Sequence, residues 1–267
     1  MKTTIYTFQT SLPSTYKLAV IADVHNQEVD LIIQSLHNQK PDIILIPGDF
    51  VYGYYPANDS KIKESPNTLT LLKECVKLAP TYASLGNHEW CLTDADIQLL
   101  KDLGIILLDN EYVHYKDFCI GGLTSHKVLS FRKKGRIAPT SRFDTVFKKK
   151  KKHYPDISWL KDFEEEDGYK VLLSHHPEDW DYIKDYEIQY VLSGHAHGGQ
   201  FRFFDLIHRK WRGVFAPSQG WLPKYSEGIF KGDHGYMIVS RGLANTVEPI
   251  PRLFNPKQMI YLVLENQ

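Results

Sequence analysis

Lys17-Leu18-Ala19-Val20-Ile21-Ala22-Asp23-Val24-His25-Asn26 decides the fold class. Five of its first six residues are apolar, the mark of a strand covered on both faces. It ends abruptly in a polar Asp-x-His turn. A helical stripe follows, with Val29, Ile32, Ile33 and Leu36 at i, i+3, i+4 and i+7, and Pro41 stops it. Ile43-Ile44-Leu45-Ile46 is a second short buried strand, and it runs into Pro47-Gly48-Asp49. Strand, polar turn, helix, strand is the repeat of an α/β fold.

The same grammar continues outward. Thr3 to Phe8, rich in β-branched and aromatic residues, reads as a strand before the quoted stretch. Tyr52 to Pro66 is polar, aromatic and broken by prolines, and reads as a loop. Leu69, Leu72 and Val76 give a second helical stripe. Tyr82 to Leu85 is a strand ending at Gly86-Asn87-His88-Glu89. Thr93 is a helix N-cap with Asp94 and Asp96 in the first turn, Ile97, Leu100 and Leu103 form the apolar face, and Gly104 ends it. Ile105 to Leu107 and Phe118 to Ile120 are further strands. Order resumes around Ile157 to Phe163. Val171-Leu172-Leu173 ends at Ser174-His175-His176-Pro177, and Tyr190-Val191-Leu192 leads into Gly194-His195-Ala196-His197-Gly198-Gly199-Gln200. The remainder is strand-rich: Gly213 to Ala216, Tyr236 to Ser240 and Met259 to Leu264.

Length and composition set bounds. The 267 residues are 42% hydrophobic and 24% charged, enough for a full core, and no linker divides them. The expectation is one domain, residues 1–267. Zero net charge argues against a polyanion partner for the molecule as a whole. Three scattered cysteines, Cys75, Cys91 and Cys119, fit small buried residues in a reducing compartment rather than a disulfide framework. No signal-peptide pattern opens the chain and no apolar run reaches the roughly 20 residues of a spanning helix, so the expected location is cytoplasmic.

Each polar motif follows a short apolar strand, and α/β sheets bind ligands at the carboxyl ends of their strands. The motifs hold two carboxylates, one carboxamide and several imidazoles. Such oxygen and nitrogen donors suit borderline divalent metals such as manganese, iron and zinc. They are too many for one ion, and a pair of ions about 3.5–4 Å apart would use them. In an extended segment, His195 and His197 leave the chain on one face and can share a site. Any one motif alone is a common turn or helix cap. All five together, each at a strand end, are not.

The order Asp23-x-His25, Gly48-Asp49, Gly86-Asn87-His88-Glu89, His175, Gly194-His195-x-His197 resembles the calcineurin-like metallophosphoesterase family. Gly198-Gly199-Gln200, Ser240-Arg241-Gly242-Leu243 and Pro251-Arg252-Leu253-Phe254 are similar to a bacterial branch that includes cell-envelope phosphodiesterases and enzymes cleaving UDP-diacylglucosamine. The resemblance implies two mixed β-sheets packed face to face and flanked by helices. It implies that Asp23, His25, Asp49 and His197 hold a first metal, and that Asp49, Asn87, His175 and His195 hold a second, manganese being favoured. His88 would not ligate but would face the phosphate and leaving oxygen. Two cations would lower the pKa of a shared water toward neutrality for in-line attack on a phosphate ester. Glu89 is a candidate for orienting a ligating imidazole. Gly198-Gly199 would keep the entry side open. His176 would line the cleft or the surface. His126, His208 and His234 have no supporting context, although His234 could reach the mouth.

Lys127 to Lys152 carries eleven cations against the single Asp144, in a basic insertion at about 125–155. It reads as a solvated insertion, as a lid that attracts anionic substrate or docks on an anionic membrane surface, or as a nucleic-acid contact. Its few aromatics argue against a stable nucleic-acid complex. It also follows a departure from the branch: Leu123-Thr124-Ser125-His126 stands where relatives place an aspartate near Gly122. The expected function is a binuclear metal-dependent phosphohydrolase acting on phosphodiesters or phosphomonoesters. The alternatives are a nuclease, a cyclic-nucleotide phosphodiesterase or a catalytically inactive metal-binding scaffold.

Overall fold

A computed structural model of the chain describes residues 1–53, 57–134, 154–244 and 251–267. Two six-stranded sheets organise them. The first runs, edge to edge, β1 (Lys2–Thr10), β16 (Gln258–Asn266), β2 (Tyr16–Val20), β3 (Ile43–Ile46), β4 (Thr81–Ser84) and β5 (Ile105–Leu108). The second runs β14 (Gly228–Lys231), β15 (Tyr236–Val239), β9 (Tyr190–Ser193), β8 (Tyr169–Ser174), β7 (Phe118–Leu123) and β6 (Glu111–Tyr115). β2 to β5 are parallel, as are β7, β8, β9 and β15. Two small hairpins, β10 (Arg202–Asp205) with β11 (Lys210–Gly213) and β12 (Phe215–Ala216) with β13 (Gly220–Trp221), connect β9 to β14.

The near-continuous apolar strands are explained by burial on both faces. Leu18, Val20, Ile43 and Leu45 point between the sheets and meet Ile120, Val171, Leu173 and Leu192. Their neighbours Ala19, Ile21, Ile44 and Ile46 point the other way, against α1 (Asp30–Gln39), α2 (Pro66–Leu78) and α3 (Asp94–Leu103). On the far side, Cys119, Leu172, Val191 and Met237 pack with Leu160 and Phe163 of α5 (Leu160–Glu165) and Trp180 and Ile183 of α6 (Trp180–Ile183). The four layers match the architecture expected from the sequence. Cys75, Cys91 and Cys119 are all free and buried. No helix among the described residues is long and apolar enough to cross a membrane.

Three local expectations change. Pro66 opens α2 at its first turn instead of closing the preceding loop, since a proline there lacks only an N–H that has no helical partner. Ile97 is exposed, while Leu100 is buried in the core and Leu99 and Leu103 pack against it. The first nine residues of the basic segment's neighbourhood form a helix, α4 (His126–Lys134), held by buried Val128 and by Phe131 against Trp90 at 4.8 Å. Residues 135–153 lie outside the described residues, and so does the lysine run.

The α3 cap does more than start a helix. Thr93 and Asp96 form a reciprocal capping box. The Asp96 carboxylate also accepts from Ser60 Oγ at 2.5 Å and from the Lys61 and Ile62 N–H groups at 2.9 Å. Asp96 thus pins the loop before α2, which a charge serving only the helix dipole would not do. Thr93→Ala is expected to cost about 1 kcal/mol in urea unfolding. Asp96→Ala is expected to cost about 3 kcal/mol, because it strands several donors at once.

Candidate metal centre

The parallel strands deliver their turns to one edge. β2 leads to Asp23 and His25, β3 to Asp49, and β4 to Asn87 and His88. From the facing sheet, β8 leads to His175 and β9 to His195 and His197. The turns meet across the sandwich. Asp49 Oδ2 lies 3.1 Å from His175 Nε2 and 3.7 Å from His25 Nε2. Asp23 Oδ1 lies 3.7 Å from His197 Nε2 and 3.9 Å from His25 Nε2. The His195 N–H donates to the Asp23 carboxylate at 2.9 Å.

Four overlapping groups of donors emerge among the described residues, two of them being His25, Asp49 and His88, and His176, Glu178 and His195. Ligand atoms of Asp23, His25 and His197 lie within 4.8 Å of one another, and so do those of Asp49, His175 and His195. These six residues are buried, and so is Asn87 beside them. Both His25 nitrogens, His175 Nε2, His197 Nδ1 and Asn87 Oδ1 are buried without a hydrogen bond. Buried polar atoms rarely stay unpaired, so this donor set fits divalent cations. The Nδ1–H of His175 donates to the Pro47 carbonyl at 2.8 Å, which leaves Nε2 to face Asp49.

The backbone pays conformationally for this convergence. Asp23, His25, Asp49, His195 and His197 all have left-handed φ, between 46° and 62°. Non-glycine residues seldom adopt it, and such strain gathers at functional sites. The His195–His197 segment is therefore not extended. His197 opens a tight turn over His197–Gly199, and the two imidazoles diverge, one to each donor group.

Electrostatics follows burial and charge. Burial alone would raise Asp49, but His175, His88 and His25 hold it well below the ordinary carboxylate range. Burial opposes protonation of His175, yet Asp49, Asp23 and Glu89 push it up to about 10. Burial takes His88 down to about 3 against the pull of Asp49. Its Nδ1 accepts from the Gly53 N–H at 3.0 Å, so the neutral ring carries its proton on Nε2, 3.9 Å from Asp49 Oδ2. At 16% exposure, the His88 side chain is more open than those of His25 and His175.

Two expected roles are replaced. Glu89 orients no imidazole. Its carboxylate accepts from the N–H groups of Asp49 at 2.7 Å, Gly86 at 2.8 Å and Val51 at 3.2 Å, tying two strand-end turns together. Gly198 and Gly199 are buried and keep nothing open. A Cβ on Gly198 would come within 2.4 Å of Asn255 Oδ1, and one on Gly199 within 2.3 Å of the Gly213 backbone. Asn255 Nδ2 bonds the carbonyls of His197 and Gln200 at 2.7 and 2.9 Å. Arg252 in turn donates to the carbonyls of Asn255, Ala244 and Arg241. The branch-like motifs near the C-terminus thus brace the histidine turn from behind.

Residues around the centre complete it. His176 is buried beside His195, ring centroids 4.2 Å apart, and its Nε2 meets Ser125 Oγ at 2.7 Å. His126 packs on it at 4.7 Å. Glu178, Ser218, Tyr52 and Lys127 were not singled out by any motif. Glu178 lies 3.5 Å from His176 Nδ1, Ser218 Oγ 3.1 Å from His195 Nε2, and Tyr52 stacks on His88 at 5.7 Å. Lys127, at the start of α4, feels the charges of Asp49 and Glu178. His208 and His234 are exposed. His234 sits in the turn before β15, at the opposite end of that strand from the site. Burial and the neighbouring Asp49 push the Glu89 carboxyl up to about 8, and Glu89→Ala should lower stability by about 3 kcal/mol in denaturant unfolding, as three buried N–H groups lose their acceptor.

Comparison with known proteins finds relatives that are themselves uncharacterized, among them the following three. The chain is 27% identical over 259 residues to an uncharacterized metallophosphoesterase of Helicobacter pylori, covering 93% of this chain and 59% of the relative. It is 28% identical over 210 residues to the uncharacterized metallophosphoesterase YkoQ of Bacillus subtilis, covering 74% and 67%. It is 25% identical over 278 residues to an uncharacterized metallophosphoesterase of Aquifex aeolicus, covering 98% and 91%. The chain therefore spans well under two thirds of the Helicobacter protein's length. The family profile for calcineurin-like phosphoesterases matches residues 16–199, which include every candidate ligand named above. With that match over more than half of its length, the chain belongs to the calcineurin-like phosphoesterase family.

Proposed function

We propose that the chain is a phosphoesterase that works with two divalent cations, manganese being favoured. The observation that carries this reading is the pair of adjacent donor groups, Asp23, His25 and His197 and Asp49, His175 and His195, linked where Asp49 meets His25, with their orphaned buried atoms. Asp23, His25, Asp49 and His197 would hold one cation. Asp49, Asn87, His175 and His195 would hold the other. Asp49 serves both because its Oδ2 faces His25 and His175. Bound there, the cations supply a nucleophile at neutral pH and neutralise phosphate oxygens.

The chain's own residues do the rest. His88 stays neutral, so its Nε2–H donates to a phosphate or leaving oxygen and stabilises the charge that develops there. Tyr52 stacks on His88 and narrows the approach. A cavity of about 490 Å³ lined by His126, Ser130, Lys133 and Tyr154 adjoins the centre through His126 and His176. Lys133 and Asp156 both line it, so its wall carries both signs of charge, and the reading of the substrate as an anionic ester, a phosphodiester or a phosphomonoester, rests on the donor set. In this reading, the basic segment that starts at Lys127 draws such substrates, or an anionic membrane surface, toward the site.

Asp49→Ala and His88→Ala are both expected to lower hydrolysis of a chromogenic phosphodiester, the latter by about 10²–10³-fold. Elemental analysis separates them: Asp49→Ala loses metal and His88→Ala keeps it. Full activity in His88→Ala overturns its role. Proton counting offers a second test. His175, raised to about 10, carries a proton at pH 7 in the metal-free chain. A cation must displace it, so metal titration near neutral pH should release protons. Calorimetry in buffers of different ionisation enthalpy measures that release, and His175→Ala should reduce it.

A further inference from the structure

We propose that the β10–β11 hairpin is a docking element for an anionic lipid bilayer. At its tip, Leu206 and Ile207 are 81% and 88% exposed, values that a folded chain seldom grants two adjacent aliphatic residues. Their outward pose is built in. The Asp205 carboxylate accepts from the N–H groups of Ile207 and His208 at 3.0 and 3.1 Å, and from Arg212 Nη1 at 3.2 Å. The turn is therefore closed from within, and the two aliphatic side chains face solvent.

Behind the tip, Phe204 and its cross-strand partner Trp211 contact at 5.8 Å, and Trp211 reaches the exposed Phe254 at 6.3 Å. The sequence that leaves the tip is His208-Arg209-Lys210-Trp211-Arg212, cationic with an aromatic among the charges. Asp205 holds both His208, at 2.8 Å, and Arg212, so Arg209 next to the tip is the cation that the turn adds to the aliphatic wedge and aromatic collar, a combination that complements an anionic bilayer surface. The wedge enters the acyl boundary, the aromatics sit among headgroups, and the cation meets anionic phosphates. A protein partner is the poorer fit. A stable protein interface needs about 800 Å² from each side, whereas this surface is one narrow protruding turn.

The hairpin is joined rigidly to the metal centre. Its root residue Gly213 packs directly on Gly199, two residues beyond His197, and the Val214 N–H bonds the Gly199 carbonyl at 3.1 Å. A docked hairpin would hold the histidine turn close to the headgroups. The inference concerns binding alone and stands whether or not the centre hydrolyses esters.

The test is co-sedimentation of the full chain with phosphatidylcholine vesicles, with and without phosphatidylglycerol. Binding that requires phosphatidylglycerol is expected. Leu206→Ser combined with Ile207→Ser should weaken it on the order of tenfold or more, and Arg209→Ser about fivefold. Melting temperature and hydrolysis of a soluble chromogenic diester should not change in either variant. Failure of the wild-type chain to bind, or equal binding by the double variant, overturns the proposal. Loss of binding only on deletion of Lys148–Lys152 assigns the contact to the basic segment and also overturns it. A wild-type dimer in light scattering that the double variant dissolves makes the face an interface between copies, with the same consequence.

Discussion

A carboxylate buried among apolar strands must find cations or donors within a few ångströms, or it will not stay charged. Asp49 and Asp23 both find theirs on the opposite sheet. Asp49 faces His175 at 3.1 Å, and Asp23 takes the His195 N–H at 2.9 Å. These two contacts clasp the carboxyl ends of the sheets together. They also explain why the site is an edge of the sandwich and not a groove on its surface. The rest of the core holds the sheets face to face, but the clasp sets how near their terminal turns come.

That nearness has a conformational cost, carried by the candidate ligand residues themselves. Five of them sit with left-handed φ. Each such residue is less stable by of order 1–3 kcal/mol than in an ordinary conformation, and persists only where its surroundings over-determine it. The over-determination is visible. Glu89 binds three backbone N–H groups on two turns from one sheet, and Asn255 with Arg252 binds the carbonyls behind the histidine turn of the other. Residues far apart in the chain thus serve one purpose, keeping imidazoles and carboxylates aimed at one another while several ring nitrogens lack a hydrogen bond. Cations are the natural completion of such an arrangement.

The electrostatic roles separate in the same frame. His175 and His88 both lie beside Asp49, yet one is pushed up to about 10 and the other down to about 3. The difference lies in what reaches each ring. His175 donates its Nδ1–H to the Pro47 carbonyl and faces the carboxylates that raise it, whereas burial dominates at His88, whose Nδ1 accepts from the Gly53 N–H. One backbone hydrogen bond apiece thereby fixes which nitrogen of each ring faces Asp49.

Much was legible in the residues alone. Apolar runs such as Leu18 to Ala22 and Ile43 to Ile46 announced strands buried on both faces, because only a doubly covered strand can dispense with polar alternation. The polar motifs that end them announced the donor set, because their spacing is local and survives any tertiary detail. The sequence by itself determined the four-layer class, the order of strand-end motifs and the chemical character of the site. Tertiary structure alone decided what depends on approach across the sandwich. It turned Gly198 and Gly199 from an opening into a packing contact, and Glu89 from an imidazole partner into a backbone clamp. It brought Glu178, Ser218 and Lys127 to the centre, and it left Leu206 and Ile207 in solvent at a hairpin tip. None of these has a local signature, since each rests on which distant backbone comes within a few ångströms.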